Sequence, residues 1–317
     1  MVNKSLQPLD RQIHWLRKLT SRRRNTQEHR YPVSDLPPSD GLSLNIMSFN
    51  IRRGTKSDGK NHWIFRRKLV QEVLTQYQPD VLGLQEALDF QIEEIRGILP
   101  GYAKVGIGNL GGSEGMHNAI FYDAAKFDLD GDGTIWFSDT PSVPGSKGWG
   151  NTISRTFTWA RLIEKKSGQA FYFYNVHLDH ISLRSRKKSV VVLVQHIRNR
   201  LFPDHFIVTG DFNAGEKSAP IRYLKGIHLL KTKPKLRVLN PEPFVDTFRA
   251  CHPHLRRAAA TFHGYNRFLL RLKIDYIFVP SSVRVDDAQV IQLRRERCYP
   301  SDHFPLVTQI CLPKSAS

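Results

Sequence analysis

The sequence predicts an α/β fold, and three observations support this prediction. Short apolar runs with the length of buried strands alternate along the chain with amphipathic segments of helical spacing. Polar residues repeatedly follow the apolar runs directly, and α/β proteins commonly hold their ligands at strand ends. The composition, with 40% hydrophobic and 24% charged residues over 317 positions, is that of a folded chain with ample material for a core.

Residues 1–41 are predicted to be a basic extension and linker outside the main domain. One or two helical turns at Gln12–Lys18 precede the basic run Arg22–Arg24 and the turn-rich stretch Pro32–Gly41. The pattern suits a partly docked helix on a flexible tether, and a basic arm that touches a polyanion is the alternative. No apolar stretch follows the N-terminal charges, so a secretory signal is not expected, whereas a mitochondrial presequence stays open. The main domain is predicted at 42–312.

The first part of this domain alternates between strands and helices. Each predicted helix is followed by a proline, which ends it. In chain order, the predicted elements are the strand Leu42–Ile51, the helix Trp63–Tyr77, the strand Val81–Leu84, the helix Phe90–Leu99 and the strand Ala119–Tyr122.

Glycine-rich and acidic stretches follow, and we interpret them as loops. Gly106–Gly115 lacks the strand-to-helix setting of a phosphate-binding loop, which predicts a flexible rim. Asp128–Gly133 resembles a calcium loop, but it lacks the acidic ligand at loop position 12, so a turn is predicted. Pro141–Gly150 is predicted to be a further loop.

The second part of the domain again combines apolar strands with one long helix. That helix carries Val190, Val194, Ile197 and Leu201 on one face. The predicted elements are the hairpin Thr156–Ile163 and Phe171–Leu178, the helix Leu183–Leu201, the strand Phe206–Val208, the basic irregular region Lys225–Phe268, the strand Ile274–Val279 and the closing strand Leu306–Ile310.

Polar side chains recur at or near the ends of these strands. Any one of them could be an ordinary turn, capping or core residue. That all of them are such residues is improbable, because all lie at or near the ends of apolar strands. Asp211 and Asn213 are two residues apart, so on an extended segment they would point to the same place. The full set is Asn50, Glu86, His177, Asp211, Asn213, Asp275, Asp302 and His303.

The chemistry of this set is coherent. Carboxylate and amide oxygens without cysteine favour a hard cation such as Mg²⁺, with Mn²⁺ as the alternative. The two histidines supply hydrogen-bond donors for a phosphoryl oxygen, or groups that transfer protons near neutral pH. A metal, acid–base groups and a basic surface together predict phosphoester hydrolysis.

Net charge and cysteine content limit the possible binding partners and the possible cellular compartment. The chain carries 47 Lys and Arg residues against 29 Asp and Glu residues, a formal charge of +18. This balance attracts polyanions, which include nucleic acid, anionic lipid and phosphorylated small molecules. Three scattered cysteines favour a reducing compartment, and we expect a cytoplasmic monomer. No apolar run approaches the length that spans a membrane.

The chain resembles the endonuclease/exonuclease/phosphatase superfamily, which includes DNase I, from about Leu44 to Ile310. The order and the number of matching stretches make this resemblance specific. The stretches are Met47–Arg52, Leu84–Glu86, Ala119–Tyr122, Asn175–Asp179, Gly210–Asn213, Ile274–Ile277 and Ser301–His303.

This resemblance implies a four-layer α/β sandwich of two packed mixed sheets with helices outside. It implies that Glu86, Asn50 and Asp302 are metal ligands and that Asp211 positions or deprotonates the attacking water. Asn213, His177 and Arg155 would hold substrate phosphate oxygens. His303 would contact the phosphate or act as a base, steered by Asp275.

Several stretches are most similar to a broad, poorly defined bacterial group of the superfamily. They are Pro144–Trp149, Arg155–Trp159 and His177–His180 with Arg186. The tyrosine- and tryptophan-bearing stretches of apurinic endonucleases are absent, as are those of inositol polyphosphate 5-phosphatases. The acidic residue that usually precedes the strand Ala119–Tyr122 is also absent, and Glu114 is displaced.

Three functions compete. The leading hypothesis is a Mg²⁺-dependent nuclease that cleaves phosphodiester bonds, because the charge suits nucleic acid. The alternative is a phosphatase or phosphodiesterase acting on phosphoinositides or sphingomyelin-type lipids. Such an enzyme would present an exposed apolar hairpin, for which Trp136-Phe137 and Phe268–Leu270 are the candidates. A non-catalytic binding module is disfavoured by the intact polar set.

Overall fold

A computed structural model describes residues 41–231, 237–255, 259–265, 272–296 and 298–314. The predicted helical turns at Gln12–Lys18, the run Arg22–Arg24 and the apolar stretch Phe268–Leu270 lie outside these residues. The boundaries of the extension and of the main domain stay predictions.

Two six-stranded mixed sheets form the centre of the fold. Each sheet contains one parallel pair of neighbouring strands, and all its other neighbouring strands are antiparallel. From edge to edge, the first sheet contains β13 (Arg284–Val290), β14 (Leu306–Pro313), β1 (Gly41–Asn50), β2 (Val81–Ala87), β4 (His117–Asp123) and β3 (Tyr102–Val105). The second contains β11 (Phe244–Asp246), β12 (Asp275–Pro280), β8 (His205–Asp211), β7 (Ala170–His177), β6 (Thr156–Glu164) and β5 (Phe127–Trp136). The short strands β9 (Leu230–Lys231) and β10 (Arg237–Val238) form a separate ladder.

Helices cover the outer face of each sheet. The α-helices are α1 (Trp63–Tyr77), α2 (Asp89–Ile98), α3 (Leu183–Arg198), α4 (Ala219–Leu224) and α5 (Thr247–Cys251), and a 3₁₀ helix spans Lys56–Asn61. Among the described residues, no helix is long and apolar enough to cross a membrane. No disulfide joins the three cysteines, all of which lie in the described part of the chain.

Three apolar cores separate the four layers. Ile46 and Ile120 of the first sheet meet Phe173 and Ile207 of the second in the central core. The α1 and α2 helices pack on the outer face of the first sheet, and α3 packs on the outer face of the second. The hydrophobic faces of both sheets are thereby removed from water, which is the dominant stabilising contribution in such a fold. The predicted four-layer α/β sandwich is confirmed.

A buried polar clip joins the two sheets close to one edge. Asn175 of β7 donates from Nδ2 to the carbonyl oxygens of Leu84 (2.8 Å) and Ala119 (2.9 Å) in the first sheet. Its Oδ1 accepts from Gln85 Nε2 at 2.6 Å. Gly83 is required beside the clip, because a Cβ there would lie 2.4 Å from Thr209 Oγ1 and 2.8 Å from Asn175 Oδ1. The clip fixes the end of β2 against the ends of β7 and β8.

The acidic stretch Asp128–Gly133 is not the turn that we predicted. It lies inside β5, which pairs with β6 along its whole length with one irregularity between Leu129 and Gly131. β5 is an edge strand, so its aspartates face solvent, and Trp159 of β6 covers Gly131 and Gly133. Pairing with β6 therefore overrides a local sequence that favours a turn.

Other differences concern short or exposed elements. The sequence interpretation missed β3, β13 and α4, and the region predicted as irregular contains β9, β10, β11 and α5. The α3 helix ends at Arg198, so Leu201 lies beyond it and is 83% exposed rather than part of the buried face. Trp136 and Phe137 are buried, which removes them as an exposed apolar hairpin.

Candidate active site

Strand pairing places the predicted polar residues at one edge of the sandwich. Asp211, at the end of β8, is in register with His177 of β7 on one side and with Asp275 of β12 on the other. Gly210 makes this close pairing feasible, because a Cβ at that position would lie 2.0 Å from the Val176 carbonyl oxygen. The first sheet contributes Asn50 of β1, which pairs with Gln85, the residue before Glu86.

One oxygen, Asp211 Oδ2, is the point on which three side chains converge. Asn50 Nδ2 donates to it at 3.1 Å, His177 Nε2 lies 3.6 Å away, and His303 Nε2 lies 3.8 Å away. Asp211 is buried, so these groups face its carboxylate in a region of low dielectric constant. The site can therefore hold a proton acceptor and several hydrogen-bond donors around a common space.

His303 is oriented by Asp275. The two side chains form a hydrogen bond of 2.9 Å between His303 Nδ1 and Asp275 Oδ2. This bond directs the other ring nitrogen, Nε2, towards Asp211. Phe262 packs on the His303 ring with a centroid distance of 4.9 Å, which further restricts its rotation.

Arg155 connects His177 with the adjacent loop. Its Nη1 lies 2.8 Å from His177 Nε2, and its Nη2 donates to His180 Nδ1 at 2.8 Å. Asp179 is fully buried behind the guanidinium, with Oδ2 3.8 Å from Arg155 Nε. Asp179 Oδ1 accepts the backbone N–H groups of Ile181 and Ser182, which fixes the loop that enters α3. The structure thus brings together Arg155 and His177, two of the residues that the resemblance implies for phosphate binding.

Glu86 and Asp302 face each other across the guanidinium of Arg52. Arg52 Nη1 lies 3.9 Å from Glu86 Oε2 and 3.8 Å from Asp302 Oδ2. Asn50 directs its amide nitrogen, not its oxygen, towards Glu86 Oε1 (3.4 Å), while its Oδ1 accepts from the Arg52 N–H. Metal ligation by Asn50 would therefore need the opposite orientation of this amide.

Backbone conformation around these residues is unusual. Arg52, Glu86 and Asn213 have φ values of 56°, 63° and 47°, in the left-handed region that non-glycine residues rarely adopt. Glu86 lies at an irregularity in the pairing of β2 with β4. Such conformations persist only where surrounding contacts impose them, and they cluster at functional sites.

A buried arginine imposes the conformation of two site loops. Arg66 of α1 donates to the carbonyl oxygens of Ile51 and Arg52, and from Nη1 to the Pro300 carbonyl at 3.1 Å. One side chain therefore ties the loop after Asn50 to the loop before Asp302.

Asn213 lies in the site region, but it does not share a strand face with Asp211. The strand ends at Asp211 and Asn213 is left-handed, so the period-two argument made from the sequence does not apply. Instead, the Asn213 N–H donates to Asp211 Oδ1 at 2.8 Å, and Nδ2 donates to the Leu178 carbonyl at 3.0 Å.

Burial and neighbouring charges shift several pKa values. Burial raises the pKa of Asp211 and of Asp302. Burial also lowers the pKa of His177 well below its ordinary value, and the Arg155 charge lowers it further. Burial alone would lower the pKa of His303, but the Asp275 and Asp211 carboxylates outweigh it and raise that pKa. The two histidines therefore differ in charge at neutral pH.

Two groups of side chains have the chemistry to hold a metal ion. One ligand atom from each of Asp211, Asp275 and His303 lies within 4.8 Å of the others. The predicted ligands Glu86 and Asp302 form the second group, and the Arg52 guanidinium between them shows that this space accommodates a cation. Glu86 also keeps 15% of its side-chain surface exposed, so a hydrated ion could reach it.

Sequence reasoning did not assign roles to several residues that shape the site. Arg52 lies in the stretch Met47–Arg52 and Asp179 lies in Asn175–Asp179, so both stretches contained a signal. Asn175 also lies in the stretch Asn175–Asp179, but its contacts to backbone carbonyls of β2 and β4 are visible only in the structure. Arg66 lies outside all the matching stretches and acts through backbone carbonyls of distant segments, which no local pattern reveals.

Comparison with known families identifies the architecture. A family model described as the Endonuclease/Exonuclease/phosphatase family matches residues 47–303. The chain belongs to this family. As a member of the endonuclease/exonuclease/phosphatase family, the protein is a hydrolase of phosphoester bonds, and the family depends on divalent metal ions.

Solved structures of other family members have the same fold. An endonuclease/exonuclease/phosphatase from Bacteroides vulgatus is 26% identical, with a TM-score of 0.77, 86% of this chain and 99% of that chain covered. The mannosyl-6-phosphatase Bt3783 of Bacteroides thetaiotaomicron is 29% identical, with a TM-score of 0.72 and coverage of 84% and 99%. D. rerio TDP2, solved with a single-strand DNA product, is 19% identical, with a TM-score of 0.65 and coverage of 84% and 98%, and shows the shared fold alone.

One curated relative also aligns with this family member. An uncharacterized protein of Acanthamoeba polyphaga mimivirus is 31% identical over 185 residues, which are 55% of this chain and 68% of the viral protein.

Proposed function

We propose that the protein is a Mg²⁺-dependent phosphoesterase that hydrolyses phosphodiester bonds in nucleic acid. The observation that carries this proposal is the convergence of His177, His303 and Asn50 on Asp211 Oδ2, beside the carboxylates of Glu86 and Asp302. A buried proton acceptor, hydrogen-bond donors for phosphate oxygens and hard oxygen ligands are the groups that such a displacement requires.

Glu86 and Asp302 would hold the metal ion, with Asn50 as an additional ligand if its amide turns. Mg²⁺ fits this oxygen-rich donor set, and Mn²⁺ is the alternative. A bound ion would supply Lewis-acid stabilisation of charge on a phosphoryl oxygen. Arg52 would then leave the space between the two carboxylates and keep its contact with Asp58, which lies 3.1 Å from Nη2.

The remaining residues would orient the substrate and move protons. Asp211 would position and deprotonate the attacking water. His177, Arg155 and Asn213 would hold phosphate oxygens, and Asp179 would keep Arg155 in place. Asp275 fixes His303 so that its Nε2 points into the site, where it would contact the phosphate.

The charge of the domain supports a polyanionic substrate. Residues 41–317 alone carry 39 Lys and Arg residues against 25 Asp and Glu residues. The segment between α5 and β12, which leads to Asp275, contains five basic and no acidic residues in its sequence. Cytoplasmic location and a monomeric state are parts of this proposal.

A phosphomonoester of a sugar is the second candidate substrate. The similarity to the mannosyl-6-phosphatase, at 29% identity over 84% of this chain, favours it. The lipid alternative loses one of its two candidate hairpins, because Trp136 and Phe137 are buried. The other candidate, Phe268–Leu270, lies outside the described residues.

A substrate panel tests the proposal. Labelled single-stranded and double-stranded DNA, single-stranded RNA, mannose 6-phosphate, inositol phosphates and sphingomyelin would be incubated with Mg²⁺ and with EDTA. We expect cleavage of a nucleic acid that EDTA abolishes and added Mg²⁺ restores. A higher kcat/KM for mannose 6-phosphate than for every nucleic acid would establish the second candidate instead.

A further inference from the structure

A groove opens beside the catalytic edge, between the segment after β8 and the segment before β12. Its inner part is a cavity of about 350 Å³ lined by Gly215–Ser218, Arg249, Ala259-Ala260 and Leu272-Lys273. A second cavity of about 620 Å³ shares Glu216, Lys217 and Arg249 with the first and continues to Pro253 and His254. The two cavities share three lining residues, and we refer to the two together as the groove.

Two segments that line the inner cavity lead along the chain to candidate site residues. Gly215 comes two residues after Asn213, and Lys273 comes two residues before Asp275. Tyr276 Oη ties these walls together, at 2.9 Å from the Ala214 carbonyl oxygen and 3.1 Å from that of Lys273. A substrate with its phosphate at Asp211 would therefore have its neighbouring part at the mouth of this groove.

Among the described lining residues, the ion pairs of the groove leave one cation exposed. Arg249 uses its guanidinium on both Glu216 oxygens (2.5 and 2.8 Å) and on the carbonyl oxygens of His252 and Leu255. Lys273 is buried and donates to Asp246 Oδ2 at 2.9 Å. Lys217 is exposed at the junction of the two cavities, and no ion pair to it is found among the described residues.

The lining suits a partly apolar group that is flanked by a negative charge. Leu272 is exposed and provides apolar surface, while Lys217 and the Glu216–Arg249 pair provide polar contacts. The size lies within the range of small-molecule sites. Resting on the proposed function, we propose that this groove binds the nucleoside next to the scissile phosphate and that Lys217 contacts the following phosphate. A sugar monophosphate would have no group to place there.

Two variants test the groove. Gly215→Leu adds a bulky side chain to the groove lining without strain, because a Cβ at Gly215 meets no heavy atom within 4 Å and its φ is not left-handed. Gly101→Leu is the matched control, since Gly101 is equally open and precedes β3 at the opposite end of the first sheet. Lys217→Gln removes the exposed cation, and Lys166→Gln, on the hairpin between β6 and β7, is its control.

The measured quantity is kcat/KM for a labelled single-stranded oligonucleotide, divided by kcat/KM for bis(p-nitrophenyl) phosphate. We expect Gly215→Leu to lower this ratio about tenfold, the equivalent of one lost base contact. Lys217→Gln should lower the slope of log KM against log salt for the oligonucleotide by about 0.7. Both controls should match the wild type.

Two results would overturn the inference, and they differ. If the wild type cleaves the oligonucleotide and both groove variants keep its ratio and its salt slope, the groove assignment alone is wrong. If the wild type cleaves bis(p-nitrophenyl) phosphate but no oligonucleotide, the proposed function fails together with the groove.

Discussion

At the scale of single residues, the site is a set of carboxylates whose neighbours differ. Asp211 is surrounded by hydrogen-bond donors, with Asn50 Nδ2 at 3.1 Å, whereas Glu86 and Asp302 share the guanidinium of Arg52. Similar side chains can therefore serve different roles, because the environment decides whether a carboxylate accepts a proton or binds a cation.

Glu86→Gln is expected to weaken Mg²⁺ binding roughly tenfold or more, since metal affinity follows the charge of the ligands. The fold should persist, because the amide has nearly the same shape and Glu86 keeps contact with solvent. Titration calorimetry with Mg²⁺ measures the affinity, and circular dichroism checks the fold. Glu114→Gln, at an exposed loop position, is the control, and equal Mg²⁺ affinity in both variants would contradict the assignment of Glu86.

Asp211→Asn and His303→Ala should each lower kcat by roughly 10²–10⁴-fold, the usual contribution of a positioned acid or base. The double variant should lose less than the product of the two factors, because groups that act together are not additive. Asp211→Asn should change the melting temperature little, because removal of a buried charge offsets the hydrogen bond lost where the amide NH2 faces the Asn50 or Asn213 donor. Single variants with nearly full activity on the best substrate would refute this mechanism.

At the scale of elements, the two sheets are joined near the site by buried polar contacts. The Asn175 side chain of β7 donates hydrogen bonds to backbone carbonyl oxygens of both β2 and β4. Its partner on β2, Leu84, lies one residue before Gln85, which also bonds to Asn175, and two residues before Glu86. Arg66 of α1 has a similar role for the loops after Asn50 and before Asp302. Contacts between elements, rather than local propensity, therefore set the distances between the candidate site residues.

Asn175→Asp should destabilise the fold by about 1–3 kcal/mol for each carbonyl group left without its donor. The carboxylate cannot donate to Leu84 and Ala119, and it places a charge between the sheets. Urea unfolding monitored by fluorescence measures the loss. Thr209→Val removes a neighbouring hydroxyl while keeping the shape, so it should cost less, and a wild-type midpoint for Asn175→Asp would show that the clip contributes nothing.

At the scale of the whole molecule, histidines that are partly or fully buried make stability depend on pH. Burial lowers the pKa of His196, whose ring packs on Phe157 with a centroid distance of 5.1 Å. The unfolded chain then binds a proton below pH of about 6.5 that the folded chain does not bind, so stability falls as the pH falls below this value. Burial also lowers the pKa of His117 and of His205, so both histidines contribute to the same dependence of stability on pH.

His196→Phe should reduce this pH dependence by up to one proton, about 1.4 kcal/mol per pH unit. The phenyl ring retains the aromatic contacts and has no proton to bind. Denaturant unfolding between pH 5 and 8 measures the slope of the unfolding free energy for both proteins. Parallel curves for the wild type and the variant would show that His196 titrates alike in both states.

The sequence by itself determined the α/β class, the long elements and the residues that meet at the catalytic edge. Apolar runs and helical stripes report burial locally, and polar residues that directly follow such runs mark strand ends. Glu86, His177, Asp211, Asp275 and His303 were therefore predictable without knowledge of how the strands pair. The stretches around these residues resemble those of the superfamily, so the family was also predictable from the sequence.

Only the tertiary structure decided which local patterns were overridden and how the site is held. Asp128–Gly133 favours a turn by composition, yet pairing with β6 makes it strand. Asn213 does not lie on the same strand face as Asp211, because the strand ends at Asp211 and Asn213 has a left-handed backbone conformation. The contacts of Arg66 and Asn175 join segments that are distant in sequence. The periodicity of a sequence shows which side of a segment is buried, but it does not show which distant segment packs against that side.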